Sequence, residues 1–322
     1  EKDIKLDIQE FGGVLRLGKI LFKGNLGNFK RFLEKEEVVP ADKFKWSLFG
    51  NFPDVEDWLI DKFKKERKKA MIRRGSKGIK NQGGEFLPLG NAEFQLFCFF
   101  QTEILFGLVE QDYDYADSKK RDMQKPVRRE ELAISPRLAK ILINLSQVKP
   151  GQRLLDCFCG VGVILQEALI KGIDVIGVDV DKEAIAGAKE NINWLTQNYK
   201  VYRDYQLYNK DSAQINVSFD GVATESSLGE LVKSKQSNDD AQRILANFER
   251  QIIGVLRNLK QLKKNDTKIA ITFPYIRDNC VDFERICRET GLEIYDLRDI
   301  KFPIKEFRED QFISREIFVF EW

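Results

Sequence analysis

Between Arg153 and Asp181 the spacing of apolar residues changes period twice. Arg153, Leu154 and Leu155 lead a short apolar run into Asp156, and a turn holding Gly160 and Gly162 follows. From Val163 to Ile170 the apolar positions fall at helical spacing, which predicts a helix with Glu167 and Lys171 turned to solvent. Lys171-Gly172 ends it, because glycine readily takes the left-handed conformation of a helix stop. Asp174 to Val178 is then almost entirely β-branched and predicts a buried parallel strand that ends at Asp179. The stretch reads as strand, glycine turn, helix, strand, acid.

Before this stretch, residues 12–21 alternate and turn like a hairpin edge, and Leu26 to Glu37 has a helical pattern. Lys45 to Phe52 alternates aromatics as a strand does. Val55 to Arg74 reads as one helix with Trp58, Leu59, Phe63 and Met71 on its apolar face, and Glu93 to Gly107 as two apolar strand segments. This order predicts a small α/β module over residues 1–117. Residues 118–133 turn basic and polar around Pro126, as inter-domain linkers do. A second domain is expected over residues 134–322. Ser135 and Pro136 suit the cap and first turn of a helix running to Leu145. Helices are predicted for Asp181–Trp194, Asp239–Leu262 and Cys280–Thr290. Strands are predicted for Tyr202–Tyr208, Phe219–Ala223, Thr267–Phe273 and Leu292–Leu297, and antiparallel edge strands for the alternation from Gln311 to Glu321.

Composition narrows the chemistry. The chain has 322 residues, room for two domains, and a net charge of only +2, so any nucleic-acid binding must come from local patches. No apolar run reaches the ~20 residues needed to span a bilayer, so no membrane partner is expected. The chain opens on Glu1, which leaves a preceding leader open. It holds no histidine, which removes histidine triads, histidine zinc sites and histidine general bases. Five cysteines without a framework spacing point to a reducing, cytoplasmic compartment. Cys157 and Cys159 sit too close for an easy disulfide and lack a second ligand pair, so no metal is expected.

A glycine turn after a first strand lets backbone approach a ligand, and the helix start offers N–H groups. A carboxylate at the tip of the second strand, here Asp179, can accept both hydroxyls of a ribose. The pattern therefore points to an adenosine-containing cofactor. A dinucleotide site wants a third glycine where this chain has Leu165, and Asp156 stands before the glycines. An acid there suits a cation better than a pyrophosphate. S-adenosylmethionine, with its sulfonium and α-amino group, meets that requirement.

The block D-C-F-C-G-V-G at residues 156–162 resembles the D-P-F-C-G-S-G-T signature of amino-methyltransferases acting on RNA. It keeps Asp156, Phe158, Cys159, Gly160 and Gly162, and departs at Cys157, Val161 and Val163. R-D-M-Q-K-P-V-R at residues 121–128 resembles the R-D-x-x-R-P-x-R segment of THUMP-type tRNA methyltransferases, with Lys125 for an arginine. The end of the chain, residues 311–321, resembles the Q-x-V-x-R-E-I-x-V-L-E terminus of such enzymes. The family that these segments resemble is the THUMP-containing tRNA guanosine N2-methyltransferases. The resemblance implies an α/β fold: a Rossmann-like, seven-stranded class I methyltransferase domain with an N-terminal α/β THUMP-like RNA-binding domain. It implies S-adenosylmethionine as cofactor and tRNA as partner, with room for a small activating protein subunit. Pro136, Asp156, Phe158, Gly160 and Gly162 would then line the methionine end, Asp179 and Val180 the ribose side, and Asp211 and Ser212 the adenine edge. An ordinary surface loop explains Asp211 equally well.

The chemistry should sit after the fourth strand, where the family has D-P-P-Y, N-P-P-Y or T-E-P-Y-L-G. Here Thr224, Glu225, Leu228 and Gly229 match the last variant, but Ser226 and Ser227 replace proline and tyrosine. Glu225 and the adjacent Thr224 would orient a target amino group, while the stacking platform, worth about 1–3 kcal/mol per base, is missing. An inactive variant, a relocated platform and a scaffold that only binds all remain open. A catalytically silent RNA-binding homologue and a DNA amino-methyltransferase are the rival functions. The basic run that includes Lys68, Lys69, Arg73 and Arg74, continued in the linker by Lys125 and Arg128, is either a solvated face or a phosphate-contacting one. The scarcity of interleaved acids favours the second.

Overall fold

A computed structural model describes residues 6–52, 54–74, 92–129, 134–226, 237–264, 266–306 and 313–322. They fall into two compact units, one with Val14–Tyr113 and the other with Gln9–Gly13 and Asp114–Trp322.

The first unit runs β1 (Arg16–Gly24), α1 (Leu26–Lys35), β2 (Lys43–Gly50), α2 (Val55–Lys65), β3 (Lys69–Ile72), β4 (Phe94–Phe100) and β5 (Ile104–Asp112). The strands form one sheet in the order β1-β5-β4-β2-β3. Its core is aromatic: Phe29, Phe44, Trp46, Phe63 and Phe106 are buried together, and the Phe44 and Phe63 rings meet edge-on at 5.1 Å, a favoured arrangement of ring quadrupoles. The long helix expected to Arg74 stops at Lys65 instead. Arg67 takes a left-handed conformation, φ +56°, and the chain re-enters the sheet as β3, parallel to β2. Alternation in Lys69-Ala70-Met71-Ile72 then leaves Met71 exposed and half-buries its neighbours.

After Gln9–Gly13, the second unit resumes with α3 (Tyr115–Gln124), inside the stretch whose composition reads as a linker. Then come α4 (Pro136–Leu145), β6 (Arg153–Asp156), α5 (Val163–Ile170), β7 (Asp174–Asp179), α6 (Lys182–Tyr199) and β8 (Tyr205–Asn209). The chain continues through β9 (Gly221–Glu225), α7 (Asn238–Leu262), β10 (Ile269–Ile276), α8 (Phe283–Thr290), β11 (Glu293–Ile294), β12 (Ile304–Glu306) and β13 (Ile313–Glu321). The sheet order is β11-β13-β10-β9-β6-β7-β8, with β12 also on β13, eight strands where seven were expected. β13 is not an edge: it pairs antiparallel with β10 on one side and with β11 and β12 on the other. The expected strand at residues 292–297 shrinks to the two residues of β11.

Strands β8, β7, β6, β9 and β10 are parallel. Strand order reverses between β6 and β9, and the region outside the carboxyl ends at such a reversal is the usual ligand position in sheets of this kind. One face of the sheet packs under α7 and α8 through Leu155, Phe248, Phe273 and Phe318. The other packs under α4 and α5 through Leu154, Leu142, Leu165 and Ala223. Helix α5 is buried all round, so Glu167 is not in solvent as expected: it is 1% exposed. Its carboxylate accepts from Arg121 Nε of α3 at 2.7 Å and lies 3.7 Å from Lys140 of α4. Two cations offset the cost of desolvating this acid and pin three helices together.

Candidate active site

The site is assembled where β6, β7 and β9 end. Asp156 closes β6, 1% exposed. Its Oδ1 accepts a hydrogen bond from the Thr224 hydroxyl of β9 at 2.6 Å and one from the Phe158 N–H at 3.3 Å. Burial pushes its carboxyl up to about 7, opposed by those two bonds and assisted by the nearby charges of Asp179 and Glu225. A buried carboxylate without a cation beside it among the described residues is poised for a positively charged ligand.

The turn after Asp156 depends on its glycines. Gly162 caps α5 at φ +84° and Gly160 lies at φ +50°, both left-handed. A Cβ on Gly162 would come within 3.2 Å of Ala188, whereas one on Gly160 would meet nothing within 4 Å. Gly160 thus faces open space, with backbone available for close approach. Cys157 and Cys159 line the turn from below, and burial raises both thiols well above their usual range, so neither is a nucleophile at neutral pH. No cluster able to hold a metal ion occurs among the described residues.

Asp179 ends β7. Its two oxygens accept from the Gly160 and Asp181 N–H groups, each at 2.9 Å. This fixes the carboxylate against the glycine turn, and each oxygen keeps a second lone pair for a ligand hydroxyl. The next side chain, Val180, is 72% exposed, an apolar surface at the strand tip. Asn209 clips that tip by donating to the Asp179 and Val180 carbonyls at 3.1 and 2.8 Å. Asp211 is exposed and its Oδ1 accepts from the Ala213 N–H. Ser212 is buried, its hydroxyl donating to the Cys157 carbonyl at 2.6 Å, so it ties the end of β8 to the turn rather than presenting to a ligand. Pro136 is buried at the first turn of α4 and Phe158 is half-buried against the core.

The exit of β9 is anchored at successive residues. Thr224 donates to Asp156, Glu225 is ion-paired with Arg315 of β13, and the Ser226 hydroxyl donates to the Thr272 carbonyl of β10. Ser227, Leu228 and Gly229 lie outside the described residues, as do Lys77, Lys80 and residues 311–312 of the terminal motif.

The basic residues divide. The Lys68 side chain is 6% exposed and paired with Glu37 and Glu66, and Lys125 is buried beside Asp122. Both are occupied in ion pairs within the fold rather than turned to solvent as a phosphate-contacting face would have them. Arg74 is exposed but paired with Glu56. Lys69, Arg73 and Arg128 are exposed. Next to Arg128 in sequence, Arg129 holds Asp181 at 2.7 Å, and that pairing holds the Asp181 carboxyl below the usual range.

Sequence reasoning missed Arg315, Asn209 and Asn191. Asn191 of α6 donates to the Val127 and Val161 carbonyls, joining the segment after α3 to the glycine turn. Only Arg315 had a signal, its place in the R-E-I motif.

Residues 125–265 match the family described as RMKL-like, methyltransferase domain. The chain is 29% identical over 152 residues to the tRNA (guanine(10)-N2)-dimethyltransferase of Methanothermobacter thermautotrophicus, spanning 47% of this chain and 42% of that one. To the protein of the same name from Pyrococcus abyssi it is 29% identical over 114 residues, 35% of this chain and 31% of that one. The matches thus span less than half the length of these relatives. The structure resembles that of TrmN from Thermus thermophilus with a TM-score of 0.51 and 15% identity, over 96% of this chain and 83% of that one. At that identity the likeness is one of fold, the class I methyltransferase fold. No described helix is long and apolar enough to cross a membrane.

Proposed function

We propose that this chain, which matches an RMKL-like methyltransferase domain over residues 125–265 and is similar over 152 residues to a tRNA (guanine(10)-N2)-dimethyltransferase, transfers a methyl group from S-adenosylmethionine to the exocyclic N2 of a guanosine in tRNA. The observation that carries the reading is the hydrogen bond from Thr224 to Asp156. It joins the strand end that would hold the cofactor's cation to the strand end that would hold the target amino group.

The residues present fit the cofactor. When bound, S-adenosylmethionine supplies a methyl group already activated on a sulfonium. Asp156 provides the buried negative charge for the methionine end, and the backbone at Gly160 permits close approach, with Gly162 making the turn into α5. Asp179, held by the Gly160 and Asp181 N–H groups, accepts from the ribose hydroxyls. Val180 offers an apolar surface to the adenine, and Asp211 lies in the next loop to take its edge. Glu225, at the end of β9, accepts hydrogen bonds from the target amino group and so turns its lone pair toward the methyl. The work of the protein is then placement of two reactants, which suits a chain without histidine. Exposed Lys69 and Arg73 in the first unit supply cations for RNA phosphates.

Ser226 favours a second reading. It replaces the proline of the related loop, and a catalytically silent RNA-binding homologue would tolerate that change. Incubation of the full chain with methyl-labelled S-adenosylmethionine and unfractionated tRNA separates the two. Label recovered in N2-methylguanosine is the expected result. Cofactor binding without incorporation into any nucleoside would sink the enzymatic reading in favour of the silent one.

A further inference from the structure

We propose that Arg315 is the positioning residue for Glu225. This rests on the reading of Glu225 as the acid that orients the target amino group.

Arg315 stands 90 residues from Glu225 in sequence. In the sheet it lies opposite Pro274 of β10, and Thr272 of the same strand lies beside Glu225 of β9. Its side chain therefore reaches across one intervening strand. The side chain is 2% exposed, its Nε donating to Glu225 Oε1 and its Nη1 lying 3.4 Å from Glu306 Oε2 of β12. A buried arginine costs several kcal/mol of desolvation unless paired with good geometry. Here two carboxylates on two different strands supply the pairing. A guanidinium presents its donors in a fixed plane, so the direction of the paired carboxylate is set along with its charge.

The neighbours of Glu225 do a different job. Thr224 and Ser226 are each tied down by hydroxyls, to Asp156 and to the Thr272 carbonyl. These bonds hold the backbone on both sides of Glu225. They compensate for the proline that related loops carry at residue 226, but they do not reach the Glu225 carboxylate. Arg315 does. The strand end therefore has its main chain fixed by two hydroxyls and its acid aimed by an arginine from β13.

The test compares methyl transfer to tRNA by the full-length wild type, Arg315→Ala, Arg315→Lys, Glu225→Gln and the Glu225→Gln/Arg315→Ala pair, with cofactor affinity measured by calorimetry. Arg315→Ala should lower kcat roughly tenfold to a hundredfold, the scale of a misplaced catalytic group, with KM for tRNA and cofactor affinity nearly unchanged. Added methylguanidinium should restore part of that kcat in Arg315→Ala and none in Glu225→Gln. In the Glu225→Gln background the alanine should cost nothing further, since groups that act as a unit are not additive. Arg315→Lys keeps the charge and loses the planar fork, and should also fall in kcat; it carries the test if the alanine variant does not fold. Full kcat in both Arg315 variants, or an equal loss in both Glu225 backgrounds, overturns the assignment. A wild type that transfers no methyl removes the enzymatic reading and this inference together, whereas an active wild type with additive losses removes Arg315 alone.

Discussion

The Thr224 hydroxyl lies 2.6 Å from Asp156 Oδ1. These residues are 68 positions apart and close adjacent strands, since β6 pairs directly with β9. The bond couples the two halves of the candidate site. Thr224 is therefore held in the wall of the site, and on the proposed reading Glu225 beyond it is the group that meets the target.

Replacing Thr224 by valine keeps the shape and removes the donor. Loss of a buried hydrogen bond to a carboxylate should lower stability by about 1–3 kcal/mol, read by urea denaturation. Cofactor affinity should fall with it, because the acid loses the bond that favours its charged form. Unchanged affinity would separate Asp156 from the cofactor.

Asp156 also sets a pH dependence. Its carboxyl is raised by burial to about 7, from 3.8 in the unfolded chain. Between those values the folded state holds a proton that the unfolded state has released, so this group's contribution to stability falls as pH rises through the window and is flat above it. Binding of a cationic ligand wants the carboxylate, so cofactor affinity should strengthen from pH 6 to pH 8. Calorimetry at both values checks this, and Asp156→Asn should flatten the trend.

Asp179→Ala should weaken cofactor binding by roughly tenfold or more, through lost hydrogen bonds to the ribose. Asp179 also receives the Gly160 and Asp181 N–H groups, so part of the loss would come from a loosened turn. Comparing S-adenosylhomocysteine with its 2′-deoxy analogue isolates the ribose contribution: wild type should discriminate between them and the variant should not.

Glu167→Ala would leave Arg121 and Lys140 buried without their shared acid. Breaking a buried ion pair from one side costs about 3–5 kcal/mol, and a large drop in the urea midpoint is expected. Glu167→Gln should be milder because it can still accept from Arg121. A surface-like cost of a few tenths of a kcal/mol would show that these helices are held by packing alone.

Among the basic residues, Lys69→Glu and Arg73→Glu should weaken tRNA binding. The plot of log affinity against log salt should also become shallower, by about one unit for each phosphate that is no longer neutralised. Lys68→Gln and Lys125→Gln should instead register in thermal stability, since both side chains are buried in ion pairs.

The strand, glycine turn, helix and second strand of residues 153–179 were legible in the sequence because each is a local pattern: a run of apolar residues, a glycine that must be left-handed, a period of 3.6, a β-branched run. Asp156 and Asp179 were legible for the same reason, as acids at the ends of such strands. The break after Lys65 was not, because Arg67 turns the chain at φ +56° without the glycine or proline that usually marks such a point. The fate of charged side chains was the least legible of all. Lys68, Arg121 and Glu167 carry the residue types of a solvated surface, yet each side chain is withdrawn from solvent against a partner distant in sequence. The pairing of Glu225 with Arg315 joins residues that no spacing rule relates. Periodicity reports which side of an element is apolar, a property of near neighbours. Which charge meets which depends on how the elements are stacked, and only the assembled sheet decided that.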